Sequence, residues 1–384
     1  MIKLVSDTID KNDINHLIEW LSQDEIPKLT KGELTVQLEK KWANKIGTKY
    51  SVFVNSGSSS ILLTLAALKF TNRLKNNKVV VPSLSWATDL SSPILLGLEP
   101  ILCDCNLSDL SCDLEHLEEI FKTESPSTLI LVSVLGLVPD MKSILELCDK
   151  YDVLLLEDVC ESMGSKYKGE YLGTFGLASF FSMYFGHHLS TIEGGFINTD
   201  DEDFYYTLLM MRSHGWARDL PPSKQNECKE KYNLNDFENL YNFYLPGMNL
   251  RSTDLQAFIG LRAIDKLDNF SETRNSNFNY YISNVKNNDL DLYNDSSNFI
   301  SNFAMPILNK NRDLIVKNLI KSNIECRPLI AGNLANKPFW YENFEKPKLK
   351  NCELIDSYGF YIPNHQDLTY NDLDKIIKII NNEL

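Results

Sequence analysis

The chain has 384 residues, of which 43% are hydrophobic, so it is long enough for one large domain or for two. Its formal net charge of −14 argues against nucleic acid or an anionic membrane as the main partner. We expect a cytoplasmic protein, because the amino-terminal segment lacks the features of a signal peptide and the most apolar run, near 129–138, is too short to cross a bilayer.

Short apolar runs alternate with helical periodicity as far as residue 200, after an amphipathic helix near the amino terminus. Strands that are buried on both faces and alternate with helices are typical of an α/β sheet that is largely parallel. The predicted elements are a strand at 51–54, a helix carrying Ile61, Leu62, Leu65 and Leu68, strands at 78–81 and 129–135, a helix at 141–151, and strands at 152–158 and 178–184.

The pattern changes after residue 200. The predicted elements are a helix at 202–212, a polar surface excursion at 221–240, helical structure over 253–288, a strand at 302–308, a helix at 312–323, a strand at 324–329 and a helix at 370–382. We therefore divide the chain into a large domain, residues 1–250, and a small C-terminal α+β domain, residues 251–384, which includes the connecting helix.

The stretch NSGSSS, Asn55 to Ser60, joins a predicted strand to a predicted helix. Small residues such as Gly57 and Ser58 allow backbone N–H groups at a helix N-terminus to approach a phosphate, and the hydroxyls add donors. An ordinary helix cap with a tight turn is the alternative explanation.

Asp158 is the last residue of a predicted strand, and Trp86 lies in the loop after another, at the sheet edge where ligands bind in open α/β folds. A carboxylate there can pair with a cationic ring nitrogen, and an aromatic side chain can stack on a flat ring. Taken singly, Asp158 could instead cap the next helix, and Trp86 could be a half-buried packing residue.

Two adjacent histidines, His187 and His188, lie between a predicted strand and the carboxylate and glycine pair of Glu193-Gly194-Gly195. A neutral imidazole is a suitable general base near neutral pH. We expect no metal site, because adjacent histidine side chains point apart and no HExxH motif is present. The eight cysteines form no CxxC pair, and the group at 103, 105 and 112 cannot supply four thiolates.

Six motifs occur in a fixed order along the chain: NSGSSS, PSLSW, EDVCES, SMYF with EGG, RSHGW and PGMNLR. In this order they resemble the DegT/DnrJ/EryC1/StrS family of sugar aminotransferases, which depend on pyridoxal 5'-phosphate (PLP). The resemblance covers nearly the whole chain. It implies the aspartate aminotransferase-like fold (PLP fold type I), with a large α/β domain built on a seven-stranded mixed sheet, a small C-terminal α+β domain, and a homodimer with shared active sites.

Members of this family carry a lysine that forms a Schiff base with PLP, and counting back from Glu193 places that position at His187. Imidazole cannot form this bond, but it can move protons. The same replacement marks the sugar 3-dehydratases of the family, and the chain resembles the branch that acts on GDP-4-keto-6-deoxymannose in colitose and O-antigen synthesis. The stretches that carry this finer resemblance are HHLSTIEGG, LEDVCESMG, GTFG, SHGWARDLP, LPGMNLR, IECRPLIAGN and NHQ.

A second dehydratase branch acts on CDP-4-keto-6-deoxyglucose and holds an iron–sulfur cluster whose cysteines follow the histidine. Here only Cys228, Cys326 and Cys352 follow His187, and they are widely spaced. This branch is therefore disfavoured.

The resemblance assigns a role to each candidate residue. His187 is the catalytic base. The residues implied in cofactor binding are Gly57, Ser58 and Ser182 at the phosphate, Trp86 on the ring face, Asp158 at the ring nitrogen, Glu161 on the side of the ring hydroxyl, and Asn249 at the phosphate of the neighbouring subunit's cofactor. The residues implied in substrate binding are His188, His214, Arg218, Arg327 and Asn333.

The implied reaction has two halves. L-Glutamate converts PLP to pyridoxamine 5'-phosphate (PMP), and the nucleotide sugar then loses its C3 hydroxyl, which yields a 4-keto-3,6-dideoxy sugar, 2-oxoglutarate and ammonia. Two alternatives remain open: a nucleotide-sugar 4-aminotransferase that works without lysine, and a non-catalytic binding protein with the same fold.

Overall fold

The computed structural model describes residues 1–292 and 295–382. The strands are β1 Tyr50–Val54, β2 Lys78–Pro82, β3 Glu99–Cys103, β4 Thr128–Val132, β5 Leu154–Asp158, β6 Lys166–Tyr167, β7 Glu170–Tyr171, β8 Ala178–Ser182, β9 Gly195–Thr199, β10 Ala304–Leu308, β11 Arg327–Pro328 and β12 Gly359–Pro363. The helices are α1 Lys11–Leu21, α2 Glu33–Ile46, α3 Gly57–Phe70, α4 Ala87–Leu95, α5 Leu114–Glu124, α6 Met141–Tyr151, α7 Glu202–Arg212, α8 Pro222–Lys231, α9 Asp236–Asn239, α10 Asp254–Ala263, α11 Leu267–Asn284, α12 Arg312–Lys321, α13 Pro338–Tyr341, α14 Lys350–Tyr358 and α15 Tyr370–Ile380.

A seven-stranded sheet in the order β1-β9-β8-β5-β4-β2-β3 forms the centre of the protein. Strand β9 pairs antiparallel with both of its neighbours, and the other pairs are parallel. Every residue of β4, β8 and β9 is buried, as expected for apolar strands covered on both faces. The predicted α/β sheet, largely parallel, is confirmed.

Several of the predicted site residues collect at one edge of this sheet. Strands β5 and β8 are parallel neighbours, so Asp158 at the end of β5 and Ser182 at the end of β8 lie at the same edge. Strand β1 runs in the same direction as β8, because both are antiparallel to β9. The loop that leads from β1 into α3 therefore reaches this edge too.

A second, antiparallel sheet in the order β10-β12-β11 lies in the C-terminal part. It docks on the large sheet through buried polar contacts, among them the bond of 2.8 Å that the Asn302 side chain donates to the Leu135 carbonyl oxygen. The arrangement agrees with the expected small α+β domain. Helix α10 lies beyond residue 250 but packs on α2, and the boundary at 250/251 stays a prediction.

Several local predictions differ from the structure in their bounds or in detail. The strand predicted at 129–135 ends at Val132, because Leu135 adopts a left-handed φ of 53° in the turn that follows. The strand predicted at 324–329 is limited to Arg327 and Pro328, and proline has no N–H to extend the ladder. The polar stretch at 221–240 contains the helices α8 and α9, neither of which has a buried residue. No helix in the described ranges is long and apolar enough to cross a membrane.

Candidate active site

The ends of β5 and β8 meet the start of α3. The Asp158 carboxylate is buried, and its Oδ1 accepts a bond of 2.8 Å from the backbone N–H of Cys160. A Cβ atom added at Gly57 would lie 2.9 Å from the Ser182 Cβ and 3.0 Å from the Cys160 Sγ. Only glycine therefore lets α3 begin so close to both strand ends.

The first turn of α3 has the features of an anion site. Ser56 caps the helix by accepting a bond of 3.1 Å from the Ser59 N–H. The N–H groups of Gly57 and Ser58 belong to the first turn, where a helix offers no internal partner. These donors and the helix dipole favour a phosphate.

Asn249 lies beside this turn within its own chain. The backbone N–H of Asn55 donates a bond of 3.0 Å to the Leu250 carbonyl oxygen, which places the segment around 249 against the loop. The Asn249 side chain is exposed and accepts a bond of 3.0 Å from the Arg251 Nε. The predicted contact to a neighbouring subunit's cofactor stays a prediction.

An exposed aromatic face adjoins a group of buried acids. Trp86 precedes α4 and is 58% exposed, so its ring is available for stacking. Asp89, three residues later, is fully buried, and neither of its carboxyl oxygens has a hydrogen-bond partner among the described residues. Burial and the neighbouring Asp158 raise the pKa of Asp89 well above its usual value.

Glu161 belongs to the same acidic group. Its Oε2 accepts a bond of 3.1 Å from the Leu135 N–H. Burial raises the pKa of Glu161 to about 7, with a smaller contribution from the charge of Asp158. A cationic ligand such as a protonated ring nitrogen would be stabilised by an ionised carboxylate in this acidic group.

His187 lies in the loop after β8, with its ring between two aromatic side chains. The ring centroids of Tyr184 and Phe303 are 5.9 Å and 5.5 Å away, both edge-on. The Nδ1 of His187 is buried and has no hydrogen-bond partner among the described residues. Desolvation lowers the pKa of His187 to about 4, so the imidazole is neutral near pH 7 and can accept a proton.

Two of the predicted substrate ligands have no exposed surface. His188 is buried, and its Nε2 lies 2.8 Å from the Ser301 carbonyl oxygen, to which it donates as the neutral ring. Asn333 is buried as well; it accepts a bond of 2.6 Å from the Ser83 hydroxyl, which fixes the small sheet region to the loop that carries Trp86. Both side chains lie inside the protein in this structure, and the prediction that either binds substrate stays a prediction.

His214 and Arg218 form a group of their own around Trp216. The His214 ring lies 5.1 Å from the Trp216 ring, and the Arg218 guanidinium lies 4.1 Å above it. Arg218 also lines a cleft of about 490 Å³ together with Lys28 and Arg251. The positive charges of this cleft suit an anionic group such as a diphosphate.

Arg327 is exposed on β11, opposite Tyr361 of β12. The ring of Tyr361 lies 6.4 Å from that of Phe303, which in turn contacts His187. The chain of contacts therefore places Arg327 on the small-sheet side of the His187 pocket. Asp89, Tyr184, Phe303 and Tyr361 were not predicted.

One group of described residues could hold a metal ion: Asp104, Cys105 and Cys352. The Asp104 carboxylate already accepts backbone bonds of 2.8 to 3.0 Å from Cys105, Asn351 and Cys352. It thus fixes the start of α14 against the loop after β3.

The residues at the sheet edge fit PLP. The N-terminus of α3 suits the phosphate of the cofactor, and the exposed face of Trp86 suits its ring. Asp158 and its acidic neighbours suit the ring nitrogen. The three features together match the three parts of PLP: an anion, a flat ring and a cationic nitrogen.

Comparisons with known proteins agree with this assignment. GDP-4-keto-6-deoxy-D-mannose 3-dehydratase of Escherichia coli O55:H7 is 34% identical over 363 residues, covering 91% of this chain and 92% of that protein. The enzyme of the same name from Yersinia pseudotuberculosis is 35% identical over 375 residues, covering 94% of each. A crystal structure of GDP-4-keto-6-deoxymannose-3-dehydratase with a trapped PLP-glutamate geminal diamine superposes with a TM-score of 0.89, at 32% identity, over 99% of this chain and 100% of that chain.

The overall architecture is thus that of the PLP fold type I enzymes, as the sequence motifs implied. The sequence profile of the DegT/DnrJ/EryC1/StrS aminotransferase family matches residues 7–381. The chain therefore belongs to the DegT/DnrJ/EryC1/StrS aminotransferase family.

Proposed function

We propose that this protein is a PLP- and PMP-dependent nucleotide-sugar 3-dehydratase. It removes the C3 hydroxyl of GDP-4-keto-6-deoxymannose, with L-glutamate as the amino donor, and releases a GDP-4-keto-3,6-dideoxy sugar, 2-oxoglutarate and ammonia. The two relatives that are 34% and 35% identical carry the name of this activity.

The observation that carries the proposal is a histidine where the family has its lysine. No lysine occurs between Lys168 and Lys224, so the segment around Glu193 cannot hold PLP covalently. A transaminase needs that lysine to pass its cofactor between substrates, whereas a base suffices to move protons. The neutral, partly buried His187 has the protonation state of a base.

The residues that would hold the cofactor are those of the sheet edge. Gly57, Ser58 and Ser182 would bind the phosphate, Trp86 would stack on the ring, and Asp158 would keep the ring nitrogen protonated. Glu161 would contact the opposite side of the ring, and Asn249 would reach the phosphate of the neighbouring subunit's cofactor.

The cofactor, when bound, supplies an amine from glutamate and an electron sink next to the sugar ketone. His187 accepts a proton in this reaction, and no group among the described residues binds its Nδ1. The C3 hydroxyl is a poor leaving group, so the same imidazole, once protonated, can donate to it. Phe303 and Tyr184 keep bulk water from the imidazole.

The remaining predicted contacts are part of the proposal. His214 and Arg218 would bind the sugar or its diphosphate in the cleft around Trp216, and Arg327 would approach from the small sheet. His188 and Asn333 would contribute to the site from the interior of the protein.

The proposal includes a homodimer. Large apolar side chains around the site are exposed in the single chain, among them Trp86, Tyr184, Phe185 and Ile192. Such a surface is typical of a protein–protein contact. A cytoplasmic location is in keeping with cysteines that are all free.

Ammonia release tests the proposal. Incubation with PLP, L-glutamate and GDP-4-keto-6-deoxymannose should yield ammonia and 2-oxoglutarate in equal amounts. A 4-aminotransferase would yield 2-oxoglutarate without ammonia, and a non-catalytic binding protein would yield neither. Either of these results would contradict the proposal.

A further inference from the structure

Asp89 is a buried carboxyl group with no partner and no role in the reaction described above. It lies in the first turn of α4, three residues after Trp86, and has no accessible surface. Neither of its oxygens accepts or donates a hydrogen bond among the described residues. An ionised carboxylate in that position would lose its hydration without compensation, which is strongly unfavourable.

The neighbours of Asp89 are themselves acidic or neutral. Asp158 lies within hydrogen-bonding reach, and Glu161 and the Cys160 thiol are the next titratable groups. Two carboxyls in contact cannot both be ionised, so one proton is shared between them.

The contacts of the two aspartates decide which of them carries the proton. Asp158 accepts a backbone N–H of Cys160 at 2.8 Å, so its Oδ1 acts as a hydrogen-bond acceptor. Neither oxygen of Asp89 has a hydrogen-bond partner of good geometry among the described residues. Burial and the charge of Asp158 raise the pKa of Asp89 and outweigh the opposite effect of the nearby Trp86 N–H, so the protonated form is favoured. An ionised Asp158 is also the form that a cationic ring nitrogen needs.

We propose that Asp89 is a positioning residue: its protonated carboxyl donates a hydrogen bond to Asp158 and holds that carboxylate toward the ring nitrogen of the cofactor. The inference rests on the proposed function only for the cofactor, and it does not depend on the sugar. Asp89 acts through Asp158, since it has no exposed surface with which to reach a ligand.

Three variants separate this role from a purely structural one. Asp89→Asn keeps the size and a donor to Asp158, Asp89→Leu keeps the approximate volume and removes the donor, and Ser91→Ala on the next part of α4 is the control. The dissociation constant of PLP is measured by its absorbance and by quenching of protein fluorescence. The melting temperature of each variant establishes that it is folded.

We expect Asp89→Asn and Ser91→Ala to bind PLP within about threefold of the unaltered protein. Asp89→Leu should bind it roughly 10- to 100-fold more weakly, which is the size of a lost hydrogen bond to a charged group. If Asp89→Leu bound PLP as tightly as the unaltered protein, the proposal would be overturned. If Asp89→Asn bound PLP as weakly as Asp89→Leu, the proposal would also be overturned, because a hydrogen-bond donor at this position would then be insufficient.

Infrared spectroscopy of the cofactor-free protein tests the proton itself. With aspartate labelled with ¹³C in the side-chain carboxyl, the difference between the unaltered protein and Asp89→Asn at pH 7 should contain the carbonyl band of a protonated acid, shifted by the label. The label excludes a band from Glu161. A difference spectrum with only carboxylate bands would overturn the proposal, and this result is independent of whether the protein is a dehydratase.

Discussion

The ring of Phe303 meets the ring of His187 edge-on, with 5.5 Å between the centroids. Phe303 lies just before the first strand of the small sheet, and His187 lies in a loop of the large one. Docking of the small sheet therefore desolvates the imidazole and lowers its pKa to about 4. The base is kept in its proton-accepting form by residues that are more than a hundred positions away in the sequence.

Replacement of Phe303 should change the pH dependence of turnover. The reaction needs neutral His187, so activity is lost as the pH falls through the pKa of the imidazole. In Phe303→Asn the imidazole of His187 becomes hydrated. The apparent pKa of the acid limb of kcat/KM should then move from near 4 toward the ordinary value of 6.5. Phe303→Leu is the matched control, and the apparent pKa of its acid limb should stay low. The same apparent pKa in the two variants would contradict the desolvation argument.

Loss of the imidazole should stop dehydration without loss of the fold. His187→Asn retains a polar side chain of similar size but no base, so kcat should fall at least about 100-fold. The rate of sugar dehydration is the measurement, and His16→Asn on α1 is the control for a histidine far from the site. Turnover within a few fold of the unaltered protein would show that another group is the base.

Introduction of a lysine should restore covalent attachment of the cofactor. In His187→Lys the new amine occupies the position from which the family binds PLP. Treatment with borohydride should then fix PLP to the chain, and mass spectrometry of the peptide 178–199 should find the added mass. No such adduct is expected in the unaltered protein, and failure to trap it in the variant would put the correspondence of His187 with the lysine in doubt.

Gly57→Ala should weaken both the fold and the phosphate site. The added Cβ would lie 2.9 Å from the Ser182 Cβ, so the start of α3 must move away from β8. Overpacking of this kind costs about 1–3 kcal/mol in the free energy of unfolding. The same shift should raise the dissociation constant of PLP. Ser58→Ala, which removes only a hydroxyl, should raise it less. A larger increase in Ser58→Ala than in Gly57→Ala would contradict a phosphate site formed by the backbone.

Glu161 should make the cofactor-free protein less stable as the pH rises. Its folded-state pKa of about 7 lies above the ordinary value of 4.5, so its stabilising contribution is complete below 4.5 and is lost as the pH rises toward 7. Glu161→Gln should remove this loss, a difference of about 1–3 kcal/mol between pH 5 and pH 8. Urea unfolding at both pH values measures this difference, and Glu342→Gln, at an exposed position, is the control. If the free energy of unfolding of Glu161→Gln fell with pH as much as that of the unaltered protein, the assignment would be contradicted.

The large-scale structure could be predicted from local sequence patterns, but the environment of the site could not. Helix α6 was predicted with its observed bounds because its apolar stripe is regular and Asp140 caps it. The positions of Asp158 and His187 followed from motifs with fixed spacing. Phe303 and Tyr361 lie in other elements, and only tertiary packing brings them to the imidazole.

Some site residues have sequence patterns that suggest a different role. An aspartate in the first turn of a helix, such as Asp89, is normally explained by the helix dipole, and nothing in its neighbours indicates burial beside a second acid. His188 and Asn333 belong to the motifs that resemble the family, but their side chains face the interior. Motif membership therefore did not indicate which of these side chains are exposed and which are buried.

The central claim is that a chain without the family's lysine removes the C3 hydroxyl of a nucleotide sugar. The most direct measurement is the mass of the nucleotide sugar after incubation with the protein, PLP, L-glutamate and GDP-4-keto-6-deoxymannose. The account predicts a product lighter by one oxygen atom, with the ketone retained. A product in which an amine has replaced the ketone would make the protein an aminotransferase and would contradict the account.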